Sequence, residues 1–227
     1  MLLTWNTGYD SVYQWAGLTP SGQFRPLTPD VHATDITVTT TGAPGTNAIR
    51  FPPGQRPRHL KFHEKHPKYA IIANEGNGTR TPMITLCGYD SHKGLTPLRD
   101  IPTMETSSEM DHLELSDMYP GEVLFSPSGE YLYVSNRDAS TALRDNIAVF
   151  DVSSLPELKL IENVPSGGSY PRSIALSGDG QTLWVGNQKS NSTILFHVNQ
   201  QTGRLDIVNK SREIYHFPAA FVAFQDL

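Results

Sequence analysis

A small set of charged side chains has the chemistry to bind an anion and to move a proton. Arg58 and Arg172 each follow a proline, and Glu75 and Arg137 each follow an asparagine. A guanidinium is a planar fork that matches a carboxylate or a phosphate, so the arginines can hold an anionic ligand. Glu75 can accept a proton from water, and His59 is a second candidate for that role. These residue types predict anion binding combined with acid–base chemistry.

The same residues fall at matching places in a sequence repeat. Each repeat reads as Pro, a strand, a turn and a second strand that ends in Asn74, Asn136 or Asn187. Spacings of 62 and 51 residues between these asparagines are typical of β-propeller blades with long loops. No helical period extends over a useful length. The sequence therefore predicts an all-β protein, a β-propeller.

The repeat aligns positions that differ in residue type. One slot holds Glu75, Arg137 and Gln188 in successive blades, and another contains Arg58 and Arg172. Residues that the fold requires should repeat, as the prolines and asparagines do, so unlike residues in one slot favour a function. Equivalent slots face the same rim of the central channel, and we therefore expect Arg58, Glu75 and Arg137 to lie close together. The structural alternative is an ion pair between blades.

We predict a single propeller domain over residues 1–227 that holds about four blades in an incomplete ring. Exposed edge strands of such a ring would favour self-association. The predicted blade segments are approximately 1–40 (partial), 41–102, 118–165, 166–216 and 217–227 (the first strand of a further blade).

Several segments resemble the lactonase family of seven-bladed propellers, which includes propeller-type 6-phosphogluconolactonases and fungal carboxy-muconate lactonizing enzymes. The similar segments are GQRPRHLKFH at 54–63 with Asn-Glu at 74–75, YLYVSNR at 131–137 and GGSYPR at 167–172. The resemblance covers the C-terminal four or so blades of a family member. Where the family has a small-residue stretch of the NTAAE type, this chain has DMYPGE at 117–122.

The resemblance implies a cofactor-free lactonase that hydrolyses a small anionic sugar lactone, with 6-phosphogluconolactone as the leading substrate. Arg58, Arg137 and Arg172 would bind the substrate, and Arg137 would also stabilise the oxyanion. Glu75 or His59 would activate the attacking water. Three alternatives stay open: a carboxy-muconate lactonizing enzyme that uses the same arginines, a metal-dependent sugar lactonase, and a non-catalytic truncated propeller that binds a ligand or a partner chain.

Composition restricts the partners and the compartment. The formal net charge of −5 argues against a nucleic-acid partner, which normally meets a basic surface. The longest apolar stretch, 217–224, is too short to cross a bilayer, so no membrane partner is expected. A single cysteine, Cys87, fits a reducing compartment, and we expect a cytoplasmic protein.

Three histidines lie close together at the end of the first strand of one repeat. His59, His63 and His66 fall within eight residues, but no carboxylate or thiol recurs at a metal-ligand spacing. We therefore expect no metal site here, and we expect His63 to be a turn or packing residue.

Overall fold

The computed structural model describes residues 2–6, 11–18, 24–26, 35–37, 48–51, 54–76, 82–90, 93–105, 117–140 and 142–207, with side chains from residue 51 onward. Every regular element in these ranges is a β-strand, which confirms the all-β prediction. The described residues accordingly contain no helix of the length and hydropathy that a membrane span requires. The strand expected within 217–227 lies outside the described residues.

Two small sheets come first in the chain. A three-stranded antiparallel sheet has the order β1-β2-β3 and lies within the segment for which the sequence predicts a partial blade. A short antiparallel pair, β4-β5, follows it. The strands are β1 (Leu2–Asn6), β2 (Ser11–Leu18), β3 (Phe24–Pro26), β4 (Asp35–Thr37) and β5 (Ala48–Arg50).

Three four-stranded antiparallel sheets follow, and each is a meander in chain order. The first is β6 (Pro57–Phe62), β7 (Tyr69–Asn74), β8 (Met83–Asp90) and β9 (Gly94–Pro102). The second is β10 (Met118–Phe125), β11 (Tyr131–Asp138), β12 (Asn146–Asp151) and β13 (Lys159–Pro165). The third is β14 (Pro171–Leu176), β15 (Thr182–Asn187), β16 (Ser192–Val198) and β17 (Leu205–Ile207).

The three sheets are arranged as propeller blades. Strand β10 contacts both β6 and β14, so the first strands of successive sheets lie side by side. Each sheet then extends outward through its second and third strands to β9, β13 or β17. This arrangement confirms the propeller prediction and places the first strands where a propeller has its central channel.

Apolar side chains on the middle strands fill the space between blades. Because side chains alternate along a strand, Leu132 and Val134 pack toward the preceding blade, against Ile71 and Ile84. Their neighbour Tyr133 points the other way, into the cluster shared with the following blade. The middle strands are therefore apolar on both faces, and burial of this surface is the main force that stacks one blade on the next.

Two of the three repeated asparagines tie their blade to the one before it, whereas Asn74 donates to the Thr85 hydroxyl of its own blade at 2.8 Å. Asn136 donates from Nδ2 to the carbonyl of Thr103, 3.2 Å away, and accepts from the Thr103 hydroxyl at 2.7 Å. Asn187 donates to the carbonyl of Ser166 at 3.2 Å. Thr103 and Ser166 both follow the outermost strand of the preceding blade. The Nδ2 group of each of the three asparagines donates a buried hydrogen bond, so this slot repeats its residue type for a structural reason.

The turn after each first strand has one capping residue. Ser126 and Ser177 accept through Oγ from the backbone N–H of Tyr131 and Thr182. His63 takes the corresponding place, where its Nδ1 accepts from the N–H groups of Lys65 and His66. Its Nε2 lies 2.8 Å from the carbonyl of Gly129 in the next blade. His63 is therefore a turn and packing residue, as the sequence predicts.

Candidate active site

A β-bulge interrupts the first strand of each of the three four-stranded blades at the same place. In β6 the pairing shifts between Pro57 and His59, and in β14 it shifts between Pro171 and Ser173. In β10 the shift lies between Pro120 and Val123. A bulge adds an unpaired residue and re-aims the side chains beside it. It therefore sets the direction of Arg58, Arg172 and their neighbours at the channel rim.

Arg137 and Glu75 form an ion pair between two blades. The Arg137 Nη2 atom lies 2.6 Å from Oε1 of Glu75. Nη2 also donates to the carbonyl of Pro120 at 3.0 Å, and Nε donates to the carbonyl of Tyr119 at 3.3 Å. The Arg137 side chain is only 1% exposed, whereas that of Glu75 is 21% exposed. The Arg137 guanidinium is thus held in one orientation by three hydrogen-bond acceptors.

Gly121 makes room for this guanidinium. A Cβ atom at residue 121 would lie 2.7 Å from the Ser135 hydroxyl oxygen, 3.2 Å from Arg137 Nε and 3.2 Å from the Pro171 carbonyl oxygen. Gly121 stands in the slot that is arginine at 58 and 172. Because residue 121 has no side chain, the side chain of Arg137 can pass across strand β10.

Arg58 is a buried cation close to two other arginines and two carboxylates. It is 6% exposed, and its Nε atom is buried without a hydrogen-bond partner in the described residues. The pKa of Arg58 is lowered from its ordinary value to about 10, chiefly by burial and in addition by the positive charges of Arg137 and Arg172. The carboxylates of Glu75 and Glu122 oppose this shift. An anion at this rim would supply the negative charge that the cluster lacks.

Arg172 and Gln188 meet in the third blade. Arg172 Nη1 lies 3.4 Å from Oε1 of Gln188, a long contact with a neutral amide. The Arg137–Glu75 pair joins the same slot of two blades, whereas this contact joins two different slots of one blade. Arg172 is half-buried, so a ligand at the rim can reach it.

His59 meets a carboxylate that is provided by the next blade. Its Nδ1 lies 2.5 Å from Oε1 of Glu122, and the two side chains are 30% and 18% exposed. The backbone N–H of Val123 donates to the same oxygen at 3.2 Å. The Glu122 N–H donates to the Ser135 hydroxyl at 2.9 Å. Glu122 is therefore fixed at both its backbone and its carboxylate.

Tyr170 completes the rim with an aromatic ring. The Arg137 guanidinium carbon and Lys189 Nζ lie over this ring, 5.1 and 4.4 Å from its centroid. Tyr170 has a φ of +65°, which is unusual for a residue with a bulky side chain. Its backbone N–H donates to Oδ1 of Asp145 at 2.9 Å, and this bond helps to hold the strained residue in place.

A buried acidic pair supports that loop. Oδ1 of Asp145 also accepts from the backbone N–H of Asp138, at 2.8 Å. Asp138 accepts from the Arg144 Nε at 3.0 Å and from the Ser140 hydroxyl at 2.6 Å. Burial by itself would raise the pKa of Asp138, but the hydrogen bonds from Arg144 and Ser140 outweigh it and hold that pKa well below its ordinary value. Burial raises the pKa of Asp145.

The structure brings the residues predicted from the sequence into one rim. Glu75 and Arg137 are in contact, and Arg58 is within electrostatic reach of Glu75, Arg137 and Arg172. His59 lies next to Arg58 on β6. Among the described residues no group of three or more His, Cys, Asp or Glu side chains could hold a metal ion.

Sequence reasoning missed Glu122, Tyr170 and Lys189. For Glu122 a usable signal existed, because it occupies the slot of His59 one blade later. Tyr170 lies in the GGSYPR segment, but nothing in that segment indicates that its ring meets two cations. Lys189 follows Gln188 and gave no signal of its own.

The fold defines a class of protein, the β-propeller, and arginines, carboxylates and a histidine lie together at one rim of it. The chain belongs to the family described as Lactonase, 7-bladed beta-propeller, whose model matches residues 15–219.

Curated relatives carry lactonase names. The chain is 33% identical over 178 residues to a 6-phosphogluconolactonase of Formosa agariphila, a match that covers 75% of this chain and 46% of that protein. It is 29% identical over 160 residues to a 6-phosphogluconolactonase of Bacillus subtilis, which covers 70% of this chain and 41% of that protein. The chain thus spans less than half the length of these relatives.

Solved structures agree on the fold. A protein from Lactobacillus plantarum superposes with a TM-score of 0.62 at 24% identity, covering 88% of this chain and 48% of that one. The periplasmic gluconolactonase PpgL of Pseudomonas aeruginosa gives a TM-score of 0.63 at 21% identity, covering 85% of this chain and 52% of that one.

Proposed function

We propose that this protein hydrolyses a small anionic sugar lactone, with 6-phosphogluconolactone as the first substrate to test. The observation that carries the proposal is the cluster of Arg58, Arg137 and Arg172, in which the buried Nε atom of Arg58 has no hydrogen-bond partner among the described residues. Family membership and the names of the relatives add the lactone. The cationic rim would hold the phosphate or carboxylate of the substrate.

The three arginines differ in exposure, and we assign them different roles in substrate binding and oxyanion stabilisation on that basis. Arg172 is half-buried and would bind the anionic group directly, together with the small exposed part of Arg58. Arg137 is almost completely enclosed, so its positive charge would stabilise the oxyanion from a fixed position. Glu75, one of the two candidate bases that the sequence predicts, would keep Arg137 in that position.

The direct experiment measures acid release. The purified chain is mixed with freshly generated 6-phosphogluconolactone, and proton release is followed above the spontaneous rate, with and without a chelator. Turnover that the chelator leaves unchanged supports the proposal. Turnover that disappears with the chelator would favour a metal-dependent sugar lactonase.

Two competing functions are tested in the same series. A change in ultraviolet absorbance of a carboxy-muconate, without lactone hydrolysis, would identify the lactonizing reaction. A folded protein that turns over neither compound, but still binds 6-phosphogluconate in calorimetry, would be a binding module.

The proposal extends to organisation, association and location. We propose one propeller domain with the blade segments given above, and association of chains through blade edges, because β9, β13 and β17 each pair on one side within their sheets. Sedimentation velocity would test the association.

We also propose a cytoplasmic location on the basis of the single cysteine, and cell fractionation would test it.

A further inference from the structure

The pair formed by His59 and Glu122 has the geometry of an oriented base. A carboxylate oxygen accepts hydrogen bonds, so in the neutral imidazole Nδ1 carries the proton that it donates to Oε1 of Glu122. Nε2 then presents its lone pair. Since the His59 side chain is 30% exposed, a water molecule can approach this ring. A histidine whose second nitrogen is fixed by a carboxylate is a common arrangement for a general base.

Glu75 is poorly suited to the same task. Its Oε1 is 2.6 Å from Nη2 of Arg137, so this carboxylate oxygen is already engaged in an ion pair with the guanidinium. The Glu75 backbone N–H donates to the carbonyl of Arg56 at 2.7 Å, which fixes the residue at the end of β7. With its backbone fixed and its carboxylate bonded to the guanidinium, Glu75 is placed to hold Arg137 in position.

The two members of the pair come from one repeated slot. His59 and Glu122 are each the second residue after the proline of their blade, within the bulged part of β6 and β10. The bulge turns both side chains so that they meet across the boundary between blades. The nearest charged group is Arg58 on β6, which interacts electrostatically with Glu122. Arg58 also interacts electrostatically with three further charged groups, Arg137, Glu75 and Arg172.

We infer that His59 is the catalytic base of the proposed lactone hydrolysis, that Glu122 orients it, and that Glu75 is a positioning residue for Arg137. The inference rests on the proposed function. The water oxygen bonds to the lactone carbonyl carbon while one water proton passes to Nε2 of His59. The tetrahedral adduct then collapses, the bond between the carbonyl carbon and the ring oxygen breaks, and that oxygen takes the proton from Nε2. One lactone and one water give one hydroxy acid.

The test compares three variants by the pH dependence of kcat/KM on 6-phosphogluconolactone. His59→Asn retains a side-chain donor toward Glu122 and removes Nε2, so kcat should fall by about 10²–10⁴-fold and the acid limb of the profile should disappear. Glu122→Gln should lower kcat and shift the acid limb. Glu75→Gln should lower kcat but leave the acid limb where it is in the wild type.

Controls separate a lost base from a lost fold. Glu157→Gln removes only an exposed ion pair with Arg99 and should leave both activity and melting temperature unchanged. If His59→Asn does not fold, His59→Ala with added imidazole provides the second measurement, because an external base should restore turnover in proportion to its concentration.

The outcomes distinguish the two proposals. A wild-type chain that hydrolyses no lactone overturns the proposed function. An active wild type together with a folded His59→Asn variant that retains its rate and acid limb overturns the role of His59. Loss of the acid limb in Glu75→Gln, with the limb intact in His59→Asn, would assign the base to Glu75 instead.

Discussion

Arg137 reaches across a blade boundary to Glu75, and the 2.6 Å ion pair joins the ends of the second strands of two adjacent blades. Because the guanidinium also donates to two backbone carbonyls, the pair is part of the fold as well as of the rim. The sequence left two hypotheses open for these residues, an ion pair between blades and a charged group at the channel mouth. In the structure the same contact is both.

The first prediction concerns Arg137→Lys. An ammonium group on a flexible stem cannot bond Glu75 and both carbonyls in the geometry of the planar fork. We expect a loss of about 1–3 kcal/mol in the free energy of unfolding and at least a tenfold loss of kcat/KM. Urea titration and the lactone assay measure the two effects. A variant as stable and as active as the wild type would contradict the role of the fork.

The second prediction concerns Arg58→Met, which should separate stability from binding. Methionine has a similar length but lacks the buried positive charge, which lies near Arg137 and Arg172 as well as Glu75 and Glu122. It also lacks the Nε atom, which has no hydrogen-bond partner among the described residues. We expect the free energy of unfolding to rise by about 0.5–1 kcal/mol and KM for the anionic lactone to rise by about 10–100-fold. A variant that is strongly destabilised, or that keeps its KM, would show that Arg58 serves the fold.

The third prediction concerns Gly121→Ala. The new methyl group would press on the Ser135 hydroxyl, Arg137 Nε and the Pro171 carbonyl, and we expect a cost of about 1–3 kcal/mol together with lower activity. Gly88→Ala is the matched control, because the nearest atom to a Cβ there is a Leu98 methyl at 3.5 Å. The control should stay within about 0.5 kcal/mol of the wild type in urea unfolding. Equal effects of the two substitutions would contradict the account of Gly121.

The fourth prediction concerns pH and Asp138. Because the pKa of Asp138 is lowered in the folded protein, its carboxylate stabilises the fold above the unfolded pKa of about 3.9, and this contribution is lost as the pH falls below that value. Asp138→Asn should therefore cost about 3 kcal/mol at pH 7. The difference from the wild type should narrow by about 1 kcal/mol at pH 3. Unfolding curves at both pH values measure it, and a gap that stays constant would contradict the argument.

The sequence was sufficient for the blades and for part of the rim. Strand alternation, the turns and the repeated asparagines are local or periodic signals, and each blade displays them again, so the pattern could be recognised in the chain alone. The same periodicity placed Arg58, Glu75 and Arg137 at one mouth, since equivalent slots in neighbouring blades are equivalent in space.

Which of those groups touch each other was decided by the tertiary structure. The bulges in β6 and β10 aim His59 at Glu122, and the missing side chain at Gly121 lets Arg137 cross to Glu75. Burial of Arg58 and Arg137 likewise depends on how closely the blades pack. A repeat fixes the order of slots along the chain, whereas the distance and angle between blades come from apolar packing across the whole interface. A shift of less than an ångström can make or break an ion pair, so the packing of the blades determines which charged groups pair with each other.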